Sequence, residues 1–232
     1  RFTQHSATID SLFGRIEEGT FLITGTLEHQ SGELEEVDLK LNASKVKVTA
    51  LEYLEIALES ADLEYTRDGD YFRLNGDVVL GETRYEKNID PLQLLPFAQE
   101  VRQVESDMPQ FLERTRLSVR VRNSDRIWID NNVAHVRAHA ELEVIGTVPE
   151  PNLSGRLAVE EGYILYLDRQ FEVTEGVAIF ADPNTINPDI SLNAETDVTT
   201  YQAIESQTYH IVITITGSLE EPKFSLESSP QL

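Results

Sequence analysis

The chain has 232 residues, 40% of them hydrophobic, no cysteine, and a formal charge of −22. The missing cysteines exclude disulfides, thiolate catalysis and cysteine-based zinc sites, and an acid excess of this size repels phosphate backbones, which argues against a nucleic-acid partner. The apolar fraction is too high for a disordered chain, and no run reaches the roughly 18–20 apolar residues that span a bilayer. The acid excess reads first as a solubility feature. The chain opens Arg1-Phe2-Thr3 and stops at Ser229-Pro230-Gln231-Leu232, as expected of a piece of a longer protein whose signal or anchor lies elsewhere.

Period-two alternation starts early. Val37, Leu39 and Leu41 alternate with Asp38, Lys40 and Asn42, the pattern of a strand with one dry and one wet face. Ser31-Gly32, Asp68-Gly69-Asp70 and Asn75-Gly76-Asp77 read as turns between such strands. Asp68-Gly69-Asp70 resembles the start of a calcium loop but lacks the later ligands, and a hairpin turn accounts for it.

From Pro91 to Glu113 the period changes. Leu94, Phe97, Ala98, Val101, Val104, Met108, Phe111 and Leu112 recur every three to four residues, with Glu100, Arg102, Gln103, Glu105 and Asp107 between them. The spacing predicts an amphipathic helix. Asp90-Pro91 opens it, and Pro96 and Pro109 shorten or kink it. Its apolar stripe is expected to dock on the dry face of the sheet, as a plug for one end of the β-core rather than a mobile gate.

A basic stretch follows: Arg114, Arg116, Arg120, Arg122 and Arg126. Leu117, Val119 and Val121 alternate through it, so Arg116, Arg120 and Arg122 share the wet face. They face an acidic neighbour strand or an anionic headgroup, and the acidity of the rest favours the neighbour. Trp128, between Ile127 and Ile129 and beside the Asn131-Asn132 turn, reads as a packing anchor.

Val136, Ala138, Ala140, Leu142 and Val144 form the next alternating run. His135 and His139 have the H-x-x-x-H spacing of a helical metal site. On a strand both project from the wet face about 13 Å apart and cannot chelate one ion. Residues 144–154 (VIGTVPEPNLS) and 215–225 (ITGSLEEPKFS) then repeat one another, with Gly146 matching Gly217, Pro151 matching Pro222 and Ser154 matching Ser225. A shorter echo, Ile23-Thr24-Gly25-Thr26-Leu27, is expected to end the first strand region. Such units suggest a repetitive sheet whose glycines mark bulges or bends. Asp182-Pro183-Asn184 is another turn, and Ile211, Ile213 and Ile215 alternate with Val212, Thr214 and Thr216.

No nucleophile elbow, P-loop or dinucleotide fingerprint is present. Neighbouring acids such as Glu35-Glu36, Glu160-Glu161 and Glu220-Glu221 point to opposite faces of a strand. No catalytic residue, metal site or cofactor is assigned, and the chain is expected to work without catalysing a reaction.

The last ninety residues carry an ordered set of motifs. Leu142-x-Val144-x-Gly146-Thr147 and Pro151-x-Leu153-x-Gly155 lead into Val159-x-x-Gly162-Tyr163-x-x-Tyr166. Phe171-x-Val173-x-x-Gly176-x-x-x-Phe180 and Asn187-Pro188-x-Ile190-x-x-x-Ala194 follow, and then Ile211-x-Ile213-x-Ile215-x-Gly217, Pro222-x-Phe224 and Ser228-Ser229-Pro230. In this order they resemble the C-terminal domain of the TamB family, the inner-membrane subunit of the translocation and assembly module of diderm bacteria. Residues 1–90 are similar to the looser β-segments upstream in that family.

The resemblance implies an AsmA-like, bridge-type envelope protein, anchored in the inner membrane and crossing the periplasm as a long β-groove with an apolar interior. It implies a folded-over sheet of the β-taco type and an Omp85-type outer-membrane barrel as partner of the full-length protein. It also implies a part in outer-membrane protein assembly and phospholipid transport. This chain stops before the family's extreme C-terminal segment and adds the 91–113 insert.

Together these readings predict a mainly β chain. They give an elongated, curved antiparallel sheet folded into an apolar groove, with one amphipathic helix near 91–113. Residues 1–90 form an upstream β-repeat segment, 91–113 the helical insert and 114–232 the TamB-like β-domain. The groove is expected to be lined by Leu142, Val144, Leu157, Val159, Phe171, Val173, Val177, Ile179, Ile190, Leu192, Ile211, Ile213 and Ile215, and to take phospholipid acyl chains. Two other readings use the same residues: a surface for assembling unfolded outer-membrane protein strands, and a closed β-sandwich with a structural or adhesive role.

Overall fold

The fold is given by a computed structural model that describes residues 1, 3, 5–30, 33–51, 53–88, 108–202 and 205–231. Among these the chain forms strands β1 (Ser6–Ile16), β2 (Gly19–Gln30), β3 (Glu33–Leu51), β4 (Leu54–Asp68) and β5 (Tyr71–Tyr85). A single helical turn, α1 (Gln110–Glu113), precedes β6 (Thr115–Asn123), β7 (Ile127–Asp130) and β8 (Ala134–Thr147). The last strands are β9 (Pro151–Tyr166), β10 (Arg169–Phe180), β11 (Asp189–Gln202), β12 (Glu205–Ser218) and β13 (Pro222–Ser229). They make one 13-stranded sheet in chain order, except that β7 is set between β5 and β8 as a continuation of β6. The helix expected over 91–113 lies mostly outside the described residues; within that range residues 110–113 form the single turn α1, which begins after an extended Pro109.

Nearly all pairings are antiparallel, as short turns dictate. The exceptions are β5 with β6 and β5 with β7, which are parallel. The reason is topological. A tight hairpin reverses the chain, whereas the connection from Tyr85 to Thr115 is long enough to return it to the same end of the sheet before the next strand starts. On that return, the Phe111 carbonyl accepts a hydrogen bond from the Thr115 hydroxyl at 2.7 Å, and Tyr65 and Thr115 join their hydroxyls at 3.0 Å.

The register puts apolar residues opposite one another across the sheet. One row runs Ile23–Leu41–Leu63–Gly76–Val119–Val144–Leu153. Another runs Phe21–Ala43–Ala61–Val78–Val121–Leu142–Gly155–Phe180. Along these rows no side chain is charged.

The opposite face carries cross-strand ion pairs: Lys40 with Glu64 at 3.1 Å, Arg120 with Asp77 at 2.7 Å and Arg156 with Glu141 at 2.7 Å. Arg120 thus meets an acid on the neighbouring strand, while Arg116 lies over the Tyr71 ring at 3.9 Å. Trp128 is a packing anchor on this face, stacked on His135 with ring centroids 5.0 Å apart. His135 in turn packs against Tyr163 at 5.3 Å and contacts Asp130 at 2.9 Å.

A line of irregularities crosses this sheet. In β3, Val37 and Val46 are both buried although simple alternation would put them on opposite faces, and Lys45 between them has a φ of 54°. The register of β4 with β5 shifts around Leu58, and β5 changes partner from β6 to β7 after Leu80. The register of β8 with β9 shifts at Arg137/Ala138, and that of β10 with β11 between Val173 and Glu175. Each break adjoins the next, so together they draw one crease from β3 to β10. A bulge bends its strand and raises the local twist; bulges aligned across neighbours fold the whole sheet along one line. Val46, Ala61, Ile127, Val136, Ala138 and Ala140, all buried, follow it. Ala194 and Ile213 are buried beyond it, while Leu142, Val144, Leu157 and Val159 are half-exposed. The accessible surface of the chain is 15974 Å², against about 10,600 Å² expected for a compact monomer of 26.2 kDa. This is a single folded layer, not a sandwich.

The sequence repeat is one hairpin turn used twice. Gly146 pairs with Pro151 and Gly217 with Pro222. In each turn the first hydroxyl residue accepts a hydrogen bond from the backbone three positions on: Glu150 N–H to Thr147 Oγ1 at 3.2 Å, and Glu221 N–H to Ser218 Oγ at 3.1 Å. Two sequence expectations need correction. Asn75-Gly76-Asp77 is no turn but the middle of β5, and Gly25 lies within β2 rather than at a strand end. Both glycines have positive φ inside a ladder, which imitates a turn signal in the sequence.

A close approach that requires glycine occurs at Gly162. Its φ is 128°, and a Cβ there would lie 2.2 Å from the His135 carbonyl oxygen. Gly69, in the β4–β5 turn with φ 64°, has nothing within 4 Å of that position. Urea unfolding should therefore show Gly162→Ala destabilised by more than about 2 kcal/mol, and Gly69→Ala by about 1–2 kcal/mol.

On the outer face of β12, the hydrogen bond to Asp197 at 2.9 Å holds His210 above its ordinary pKa of 6.5, helped by the charges of Glu195 and Asp197 and opposed by desolvation. A raised folded-state value contributes stability that is complete below pH 6.5 and is lost as pH rises through the folded pKa. NMR titration of Asp197→Asn should show the His210 pKa falling.

Candidate functional site

The candidate site is the apolar face of the sheet, uncharged along its central rows, with Arg67 and Arg169 on it near the strand ends. Leu142 and Val144 on β8, Leu157 and Val159 on β9, and Phe171 and Val173 on β10 lie on it. So do Ile190 and Leu192 on β11 and Ile211, Ile213 and Ile215 on β12. The pairings that place them there include Leu142 with Gly155, Val144 with Leu153, Leu157 with Ala140, and Ile213 with both Ala194 and Leu226.

Val177 and Ile179 are a correction. They pair with Ala158 and Ser191, and with Arg156 and Asp189, on the opposite face, where Ile179 is 46% exposed. The extra residue of β10 between Val173 and Glu175 reverses the alternation, and Gly176, Ala178 and Phe180 continue the apolar face instead. A single-residue bulge flips every side chain beyond it, and no residue type between 173 and 176 signals one.

The face also extends further than residues 142–215. Ile23, Leu41, Leu63 and Val78 carry it through the first half of the chain, and Phe224 and Leu226 end it on β13. The alternation of Val37, Leu39 and Leu41 was the signal for the first half.

This face is open along part of its length and closed at one end. Leu142, Val144, Leu157 and Val159 are half-buried, and the described strands form no second layer over them. Towards the C-terminus the sheet rolls up. Ile164, Phe171, Ala194 and Ile213 form a cluster in which Ala194 and Ile213 are 0% exposed, and Tyr166, Val173, Leu192, Ile211 and Ile215 pack against it.

The roll is measured by one contact. Tyr166 at the end of β9 stacks on Phe224 of β13, with ring centroids 5.6 Å apart and an angle of 20° between the planes. These strands are four places apart in the sheet, about 19 Å at the usual spacing. Phe224 lies in the row Ile215–Leu192–Gly176, while Tyr166 pairs with Arg169, further along β10 by about 23 Å at the usual rise. In a flat sheet the two would be on the order of 30 Å apart. A stacked pair of this kind contributes about 0.5–1.5 kcal/mol beyond its buried area.

Among the described residues no group of three or more His, Asp or Glu side chains could hold a metal ion, and no helix is long and apolar enough to cross a membrane.

A single layer of strands, creased along a line of bulges and apolar on its inner side alone, defines the protein as a β-groove protein. Residues 10–232 match the TamB C-terminal domain. The chain belongs to this family, and it is a TamB-like protein of envelope biogenesis. No curated protein matches it.

The two parts of the groove should respond differently to charge. Ile213→Asp buries an unpaired carboxylate in the closed cluster and should cost about 4 kcal/mol or more. Leu157→Asp, on the open face, should cost about 1–2 kcal/mol. Chemical denaturation of the two variants reads the difference.

Proposed function

We propose that this chain is a non-enzymatic segment of a periplasm-crossing β-groove, which accommodates phospholipid acyl chains on their way between the inner and outer membranes. One observation carries the reading: an apolar face that runs through a single layer of strands, uncharged along its central rows, and is left half-exposed over part of its length. Each methylene of an acyl chain exposed to water costs about 0.8 kcal/mol, so a whole chain costs on the order of 10 kcal/mol. Rows such as Val121–Leu142 and Val144–Leu153 remove that cost at successive strands without a deep local minimum. Nothing in such passage needs a catalytic group or a cofactor.

Membership in the TamB family supports the placement in the periplasm, within a protein anchored in the inner membrane. It also supports an Omp85-type outer-membrane barrel as partner of the full-length protein. A second reading, a surface for assembling outer-membrane protein strands, is favoured by β13. Among the described residues this strand pairs with β12 alone, and its Phe224 and Leu226 are about half exposed. Such an edge can receive an extended segment of alternating polarity.

Mass spectrometry of the purified chain should find phospholipid. The delipidated chain should take up a phospholipid labelled on its acyl chain, Leu142→Asp and Leu157→Asp should reduce uptake severalfold with an unchanged circular dichroism spectrum, and Ile179→Asp on the outer face should leave it intact. Equal uptake by all variants would sink the lipid reading. Capture of a barrel-strand peptide at β13 without any lipid would favour the second.

A further inference from the structure

The stacked pair of Tyr166 and Phe224 closes the C-terminal end of the groove, and each partner sits at a margin of the sheet. Phe224 belongs to β13, which among the described residues pairs with β12, and it is 46% exposed. Tyr166 ends β9 at the tip of a hairpin whose turn residues Leu167 and Asp168 both have positive φ, and Leu167 is 78% exposed. Behind the pair lie Ala194 and Ile213, fully enclosed. An aromatic contact between two marginal elements thus covers an apolar cluster that is continuous with the open face at Leu157 and Val159 through Ala178 and Leu192. A conduit sealed permanently here would have no opening at this end.

We propose that Tyr166 and Phe224 form an openable clasp, past which an acyl chain enters or leaves the C-terminal end of the groove. This rests on the lipid reading of the same face. When the rings part, the Phe224 side chain turns away from Tyr166 while β13 keeps its ladder with β12, and a passenger's methylenes take the place of its ring against Tyr166. The apolar contact area is exchanged rather than lost, so opening is easy when a chain is present and unfavourable when only water would enter.

The chain contains no cysteine, so a Tyr166→Cys/Phe224→Cys pair can be bridged at a single place by a short photocleavable bismaleimide. The measurement is the rate at which acyl-labelled phospholipid passes from the loaded chain to phosphatidylcholine vesicles. The unbridged double variant should release lipid severalfold faster than the parent and the bridged form severalfold slower, with light restoring the fast rate. Phe224→Ala, on a half-exposed edge position, should also release faster and serves if the double variant folds poorly.

Lipid uptake with equal release rates in all forms would overturn the clasp and leave the lipid reading standing. No uptake by the parent would remove the lipid reading and the clasp with it. Uptake of a strand peptide that responds to the bridge while lipid exchange does not would also overturn it.

Discussion

A single β-layer that is apolar on one side has only itself to fold against. In this protein the line of irregularities from Lys45 in β3, where φ is 54°, to the bulge at Thr174 in β10 meets that constraint. Each bulge bends one strand, and because the bulges abut, the bends add into a crease instead of cancelling as local twists. The side chains next to the crease are the small or β-branched ones that become buried there: Val46, Ala61, Ala138 and Ala140. Bulky residues in those places would hold the two arms apart. The crease also decides which residues face inward beyond it, since each extra residue reverses the alternation.

The two ends of the molecule use this geometry differently. Around β8 and β9 the arms stand apart, and Leu142 and Leu157 remain half-exposed. Around β11 to β13 the sheet rolls until Tyr166 meets Phe224, and Ile213 is enclosed. The same alternating pattern therefore makes an open lining in one place and a closed core in the other. A passenger of fluid apolar chains suits the first arrangement, because hydrophobic burial is non-directional and does not require a fitted site. The charged outer face, with pairs such as Arg120–Asp77 and Arg156–Glu141, keeps the fold soluble and adds little stability of its own.

Much of this was legible in the sequence. Period-two alternation gave the strands and the dry face, the motif order from Leu142 to Pro230 gave the family, and eleven of the thirteen lining residues fall on one face of the sheet. Turn residues were less dependable. Asn75-Gly76-Asp77 has turn chemistry but lies within a strand, because a glycine tolerates both a turn and the close approach of a neighbouring backbone, and its letter is the same in each.

The sequence by itself therefore determined that the chain is β, that one face is apolar and that this face belongs to a groove family. These depend on local spacing, and period two is set by the strand geometry alone. The tertiary structure decided that Val177 and Ile179 point outward, that β5 and β6 run parallel, and that the groove closes at Tyr166 and Phe224. These depend on one extra residue in a ladder, on the return path of a long connection, and on the summed curvature of several strands. None of these is carried by the spacing of neighbouring residues.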